Sequence, residues 1–263
     1  MAAPEMSFWD HLDVLRQVLF RILGVWLVLA VAYFVAMPFL FDQVILAPCR
    51  NDFFFYQLLR DVGAYFNLSG DFFTQTFSVK LININLAAPF FIHMSTAFWM
   101  SVVTATPYLF FEVWKFISPA LYPHERKGVK KALCLGTVMF FAGVVIGYFM
   151  VYPLTLRFLS TYQLSTAIEN QISLNSYIDN FMMLVLCMGL AFELPLVTWL
   201  LSLLGLVHKE FLKKYRRHAV VLLVILAAVI TPTGDPFTLT IVAVPLYLLY
   251  ELSIRMVKSK PVS

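Results

Sequence analysis

Charged side chains are scarce in this sequence. Asp, Glu, Lys and Arg make up 13% of its 263 residues while 61% are hydrophobic, against roughly 25% charged residues in ordinary soluble domains. That balance excludes water as the main solvent. The apolar residues come as long uncharged runs over the whole chain, so a single membrane domain covering 1–263 is expected. Cysteine is also sparse. There are three, an odd number, with Cys134 and Cys187 in apolar runs and Cys49 in a connection, so no disulfide framework is implied. The phosphate-binding Gly-Lys-Ser/Thr loop, His-Glu-x-x-His, Gly-x-Ser-x-Gly and Cys-x-x-Cys are all missing, which disfavours an ATPase or a zinc protease. His11, His93, His124, His208 and His218 are scattered rather than grouped as metal ligands are. Neither an enzyme nor a cofactor or metal is expected.

What is present is a series of potential membrane spans. A helix crossing a bilayer needs about 20 apolar residues. Runs free of Asp, Glu, Lys and Arg cover 22–41, 81–111, 132–156 and, with Glu193 as the one interruption, 180–207. Two shorter runs, 218–234 and 236–250, flank Thr231-Pro232-Thr233-Gly234-Asp235-Pro236, whose composition marks a tight turn. The fold class is therefore an all-α membrane protein of six helices, with approximate spans 18–41, 86–111, 131–156, 178–207, 217–233 and 236–254. At about 1.5 Å per residue, runs of some 15 to 17 residues reach roughly 22 to 26 Å, short of a hydrocarbon core of about 30 Å. Either the bilayer thins there or flanking Lys and Arg snorkel. The first span is too long for a cleaved signal peptide and lacks a small-x-small cleavage site.

Orientation follows from the basic residues, which accumulate on the cytoplasmic side. If the amino terminus is inside, fifteen of the nineteen Lys and Arg fall in cytoplasmic segments, and only Arg50, Arg60, Lys80 and Arg157 fall outside. Both termini are then cytoplasmic. The longest outer connection, 42–78, interleaves Phe53, Phe54, Phe55, Tyr56, Leu58, Leu59, Val62, Tyr65 and Phe66 with Asp52, Arg60 and Asp61, a pattern suited to an amphipathic helix at the membrane surface.

Glu193 is the one acid well inside a long span. A charge there costs about 2.5 to 3.5 kcal/mol on insertion scales, so it should be neutral, or face a polar group or a water-filled concavity. A proton-coupled secondary transporter with Glu193 as its ion site is one reading, but no three-plus-three repeat is evident. A membrane enzyme should gather several reactive groups at one depth, and none gather here. Asp235 reads as turn stabilisation through an Asx-type bond or as a direct transport residue. Pro48, Pro153, Pro195 and Pro245 read as bends or loop geometry.

The connection 107–127 runs Pro-Tyr-Leu-Phe-Phe-Glu-Val-Trp-Lys-Phe-Ile-Ser-Pro-Ala-Leu-Tyr-Pro-His-Glu-Arg-Lys. It resembles the signature loop of the TatC family, core subunits of the twin-arginine protein translocase. Further features fall in order: His11-Leu12-x-x-Leu15-Arg16, Ala47-Pro48, Tyr152-Pro153-Leu154, Phe192-Glu193-Leu194-Pro195, Thr231-Pro232 with Asp235, and Pro245 with Glu251. The resemblance implies six helices with both ends inside, in a bacterial inner membrane. It also implies binding of twin-arginine signal peptides of folded proteins at the cytoplasmic face, and nucleation of a translocation site with single-span TatA-type and TatB-type partners, driven by the proton motive force. Self-association into a multimeric complex is part of the same expectation, and nucleic acid is not.

Carried onto this sequence, the resemblance assigns signal-peptide contact to Glu125 and Phe116, with Pro119 and Tyr122 shaping their loop. It assigns a second contact region to Leu15, Arg16 and their neighbours. Adjacent guanidinium groups call for carboxylates, whose geometry matches them bidentately. The cytoplasmic segments hold fifteen bases against seven acids, Glu5, Asp10, Asp13, Glu112, Glu125, Glu210 and Glu251, a net charge of +8. Recognition must therefore rest on a few close acids. The family's His-Leu-x-Glu-Leu-Arg here reads His11-Leu12-Asp13-Val14-Leu15-Arg16, so Asp10, one helical turn before Val14, or Asp13 is expected to compensate.

Overall fold

The computed structural model describes residues 8–66, 79–118, 123–162, 165, 170–203, 205–231 and 233–257, the side chains of 8, 10, 11 and 123–127 excepted. Where no water can pair with the backbone, its N–H and C=O groups must pair with one another, so apolar runs become helices. Ten α-helices occur among the described residues. They are α1 (Phe8–Leu40), α2 (Phe54–Tyr65), α3 (Ala88–Ile117), α4 (Pro123–Ile146), α5 (Tyr152–Thr161), α6 (Leu174–Ala191), α7 (Leu194–Leu203), α8 (Lys209–Lys214), α9 (Arg216–Ile230) and α10 (Pro236–Met256). A π-helical turn at Gly147–Val151 joins α4 to α5, and α6 and α7 form one interrupted span, so the chain crosses six times. We call the face on which α1 begins and α10 ends proximal, and the opposite face distal.

Five of the six crossings are long and apolar enough to span a membrane outright. The exception is α9, whose 15 residues reach about 22 Å. Its partner α10 has 21 residues, because the helix continues past its uncharged run through Glu251 and Arg255. Both are held at the turn between them. Gly234 takes the left-handed φ of 60° that other residues resist, and Asp235 then caps α10.

Proline punctuates the helices in a consistent way. Lacking an N–H, each leaves the carbonyl four residues earlier without its usual donor. Pro38 in α1 frees the carbonyl of Phe34, and His93 of α3 supplies the replacement, its Nε2 lying 2.7 Å from that oxygen. A carbonyl only accepts, so Nε2 carries the proton. The π-turn directly precedes Tyr152-Pro153, where a wider turn accommodates the missing donor. Pro195, the second residue of α7, follows the break at Phe192 and Glu193.

The core lies between α4, α6 and the helices around them. A Cβ on Gly143 would stand 2.5 Å from the Met188 carbonyl oxygen, so only glycine allows α4 to approach α6 this closely. By contrast α1 is peripheral: its apolar window is only 6% buried, and it packs chiefly on α3. Polar links join that pair in addition to ring packing. These are Arg21 to Glu112, Tyr33 to Thr104 at 2.7 Å, and His93 to the Phe34 carbonyl.

At the distal face, α2 is the amphipathic helix its composition implied, with Tyr56 buried and Phe54, Leu58 and Tyr65 exposed. A two-residue parallel pairing of β1 (Leu81–Ile82) with β2 (Ile172–Ser173) was not foreseen. Residues 81–87, the beginning of the second uncharged run, are therefore not helical, and α3 starts at Ala88 with Pro89 in its first turn.

Candidate functional site

On the proximal face, the first half of α1 and the end of α3 come together. Asp13 and Arg16, one turn apart, form an ion pair at 3.4 Å with 65% and 67% of their side-chain surfaces exposed, so both are accessible and the bond is weak. Leu15 beside them is exposed. Phe116, in the last turn of α3, is half-buried. Glu125 stands in the first turn of α4, where its backbone is described and its side chain is not; the side chain of Asp10 and all of Pro119 and Tyr122 also lie outside the described residues.

Sequence reasoning counted Glu112 only as one of seven acids, yet it links these segments. Its side chain is 3% exposed and faces Arg21 of α1, whose Nη2 is 3.1 Å from Oε2. The Tyr108 hydroxyl donates to Oε1 at 2.9 Å. The contact with Arg21 is ionic rather than a well-aimed hydrogen bond. Arg21 and Glu112 border the first two uncharged runs, which was the available sign of their depth. Burial leaves Glu112 no free edge for an incoming guanidinium, so it is not the replacement for the carboxylate lost at Val14.

Deeper in the protein, the α6–α7 break presents Glu193. The Glu193 N–H reaches the Leu190 carbonyl at 3.1 Å and its own carbonyl accepts from Val197 at 2.9 Å, so the chain turns without losing these bonds. Both carboxyl oxygens are buried with no hydrogen-bond partner among the described residues. They border a groove of about 510 Å³ to which α1 contributes Trp26, α3 Thr106, α4 Phe140 and α6 Leu190. Gly136 of α4 sets the position of the carboxyl: a Cβ there would lie 3.0 Å from Glu193 Oε2 and 2.5 Å from Leu196 Cδ2. The indole nitrogen of Trp26 is likewise buried without a described partner. A cation site needs several converging oxygen donors, and this mostly apolar lining does not offer them. Among the described residues there is no group of His, Cys, Asp and Glu suited to a metal.

On the distal face, Pro48 and Pro153 are joined through Tyr56. Its hydroxyl lies 2.9 Å from the Pro48 carbonyl and 3.4 Å from that of Pro153, and the Arg157 guanidinium sits 5.6 Å from its ring centre. Nothing in the sequence pattern of 42–78 singled out Tyr56 from its aromatic neighbours. Burial pushes the adjacent Cys49 thiol up to about 11, against a lowering hydrogen bond with Tyr177. Cys49 is thus an inert packing group. Asp235 is the amino-terminal cap of α10, accepting from the Thr238 N–H at 2.7 Å and the Thr233 hydroxyl at 2.6 Å. Partial burial alone would raise its carboxyl, but these bonds outweigh it and hold the group below the usual carboxylate range.

An all-helical, multi-span scaffold with an exposed proximal surface, a capped distal face and one unpartnered acid in a membrane groove is built for binding rather than bond-making. The sequence pattern described as Sec-independent protein translocase protein (TatC) matches residues 10–245, and the chain belongs to that family. Its relatives include the Sec-independent protein translocase proteins TatC of a Blattabacterium from Periplaneta americana, 34% identical over 95% of this chain and 94% of that one, and of Deinococcus radiodurans, 35% identical over 96% and 87%. The crystal structure of the twin-arginine translocase receptor TatC is similar with a TM-score of 0.70 and 28% identity, over 94% of this chain and 97% of that one. A second crystal structure of that receptor, in DDM, gives 0.74 over 94% and 99%. The protein is a multi-pass, non-enzymatic subunit of the twin-arginine translocase.

Proposed function

We propose that the proximal face is cytoplasmic, with both termini inside a bacterial inner membrane, and that it binds the twin-arginine signal peptides of folded proteins. Glu125 is the principal carboxylate and Phe116 the apolar contact, with Asp13 or Asp10, Leu15 and Arg16 forming the second edge. The observation that carries this reading is the Arg21–Glu112–Tyr108 link, which fixes the start of α1 against the end of α3 so that the two segments make one surface. The fifteen-to-four distribution of basic residues supports the orientation. The Glu193 groove is then where a TatA-type or TatB-type single-span helix docks, its polar residue meeting the carboxyl. The proton motive force drives the subsequent assembly, as no nucleotide site is needed.

Photocrosslinking probes at positions 116 and 125 test this in membranes supplied with a twin-arginine signal peptide and its twin-lysine variant. Adducts are expected with the first and several-fold fewer with the second. Equal yields, or Glu125→Ala leaving the adduct at 116 undiminished, would reject the assignment.

A further inference from the structure

A second cavity, of about 720 Å³, lies between the distal ends of α3 and α6, bordered by Asn85, Ser95, Asn175 and Asp179 above a floor of phenylalanine and methionine. It abuts the Glu193 groove. Phe98 lines the distal cavity and meets Trp26, which lines the other, edge to face with ring centres 4.8 Å apart. On α6 the lining residues Asp179, Leu186 and Leu190 fall at intervals of seven and four, one face of a helix, and Glu193 follows three positions on, in the break that ends it. The two acids are fourteen positions apart, about 21 Å at the helical rise per residue. That distance is about two-thirds of a hydrocarbon core near 30 Å thick.

These observations describe one trough for one rod. Its walls are apolar, its deep polar groups are a carboxyl and an indole N–H without described partners, and its distal mouth holds an exposed carboxylate. No Lys or Arg lines either cavity among the described residues. Asp179 has no described salt bridge, although an acid beside a bilayer gains most from a cation held close to it.

We infer that the trough receives a single transmembrane helix of a partner chain along its length, and that Asp179 at the distal mouth pairs with a cationic group, a lysine or the α-amine, at that helix's end. About 21 Å further in, a neutral side chain that both donates and accepts hydrogen bonds meets Glu193 and the Trp26 indole. This rests on the assignment of the Glu193 groove to a single-span subunit and adds its direction and a second contact: the cation-bearing end of the bound helix is distal. A lipid would also meet apolar walls and an acid, but a headgroup and its chains have no need of the deep carboxyl and indole pair.

The test uses photocrosslinking residues at Asn175 and at Leu190 in membranes carrying the whole translocase, with products identified by mass spectrometry. Both positions are expected to trap the same single-span subunit, Asn175 through its cationic end. Asp179→Lys should lower the Asn175 product about threefold or more, the scale of a partly exposed ion pair replaced by repulsion, while Asp179→Glu keeps it and the Leu190 product persists in both. If Leu190 traps the helix but Asn175 traps only lipid or a second copy of this chain, or its product is indifferent to Asp179→Lys, this inference fails and the groove assignment stands. If Leu190 traps no helix, both fail.

Discussion

The Arg21–Glu112 pair makes an asymmetric prediction. The two partners are unequally buried, 41% exposed for Arg21 and 3% for Glu112, so removing one is not equivalent to removing the other. In Arg21→Leu a carboxylate stays buried beside Tyr108 with its counter-ion gone, the situation that costs about 3 to 5 kcal/mol when a buried pair is broken. In Glu112→Gln the guanidinium is left half in solvent and can rehydrate, and the amide still accepts from the Tyr108 hydroxyl at the 2.9 Å site. The cost should be near that of one partly exposed ion pair, about 1 kcal/mol or less. Unfolding in mixed micelles measures both directly. The expected order is Arg21→Leu well above Glu112→Gln, with the double variant Arg21→Leu/Glu112→Leu closer to wild type than Arg21→Leu alone. Equal losses, or a double variant as unstable as the sum, would show that burial of Glu112 does not set the energetics. The functional counterpart is that signal-peptide adducts from position 116 should fall with Arg21→Leu and recover in the double variant only if α1 returns to its place.

His93 and Pro38 should be coupled: His93→Leu strands the Phe34 carbonyl and costs about 1 kcal/mol within the membrane, whereas in a Pro38→Ala background, where a backbone N–H is restored, most of that loss should vanish. Additive losses in the double-mutant cycle would refute the link. Asp235→Ala should cost about 1 kcal/mol through loss of the α10 cap. Because hydrogen bonds depress the folded-state carboxyl, that contribution is complete above the unfolded carboxylate value of about pH 4 and disappears as pH falls through the lower folded value. The wild-type and Asp235→Ala unfolding curves should therefore converge in acid; a gap that is constant down to about pH 2 would contradict the cap.

The positions of the helices were readable because the bilayer imposes one rule on every run: about 20 uncharged residues and a self-satisfied backbone. Glu193 was readable for the same reason, since an acid at that depth is rare enough to mean something alone. Pairings were not. Arg21 and Glu112 are 91 positions apart, and Tyr56 and Pro153 are 97; spacing within a helix is silent about contacts between helices. The pairing of Leu81 with Ile172 is two residues long, too short for any alternation of side chains to register. Asp179 was passed over because it sits at the boundary of an uncharged run, where an acid is unremarked, and only its place on the α6 face that leads to the break at Glu193 gives it meaning.

The polar groups of this membrane domain fall into two kinds, and burial with or without a partner separates them. Glu112, His93 and Asp235 are each met by donors or acceptors from the same chain, so their desolvation is offset within the fold and they hold helices in place. The carboxyl oxygens of Glu193 and the indole nitrogen of Trp26 are buried with no described partner, and Gly136 leaves room for the carboxyl against the α4 backbone rather than supplying a bond. Substituting a methyl at Gly136 would relieve nothing and would push the carboxyl off its wall, at about 1 to 3 kcal/mol for overpacking. Buried side-chain atoms without a described partner also occur singly at Thr155, Asn180 and Thr238, but the Glu193 carboxyl and the Trp26 indole stand together on one groove, where their remaining hydrogen bonds are open to another molecule.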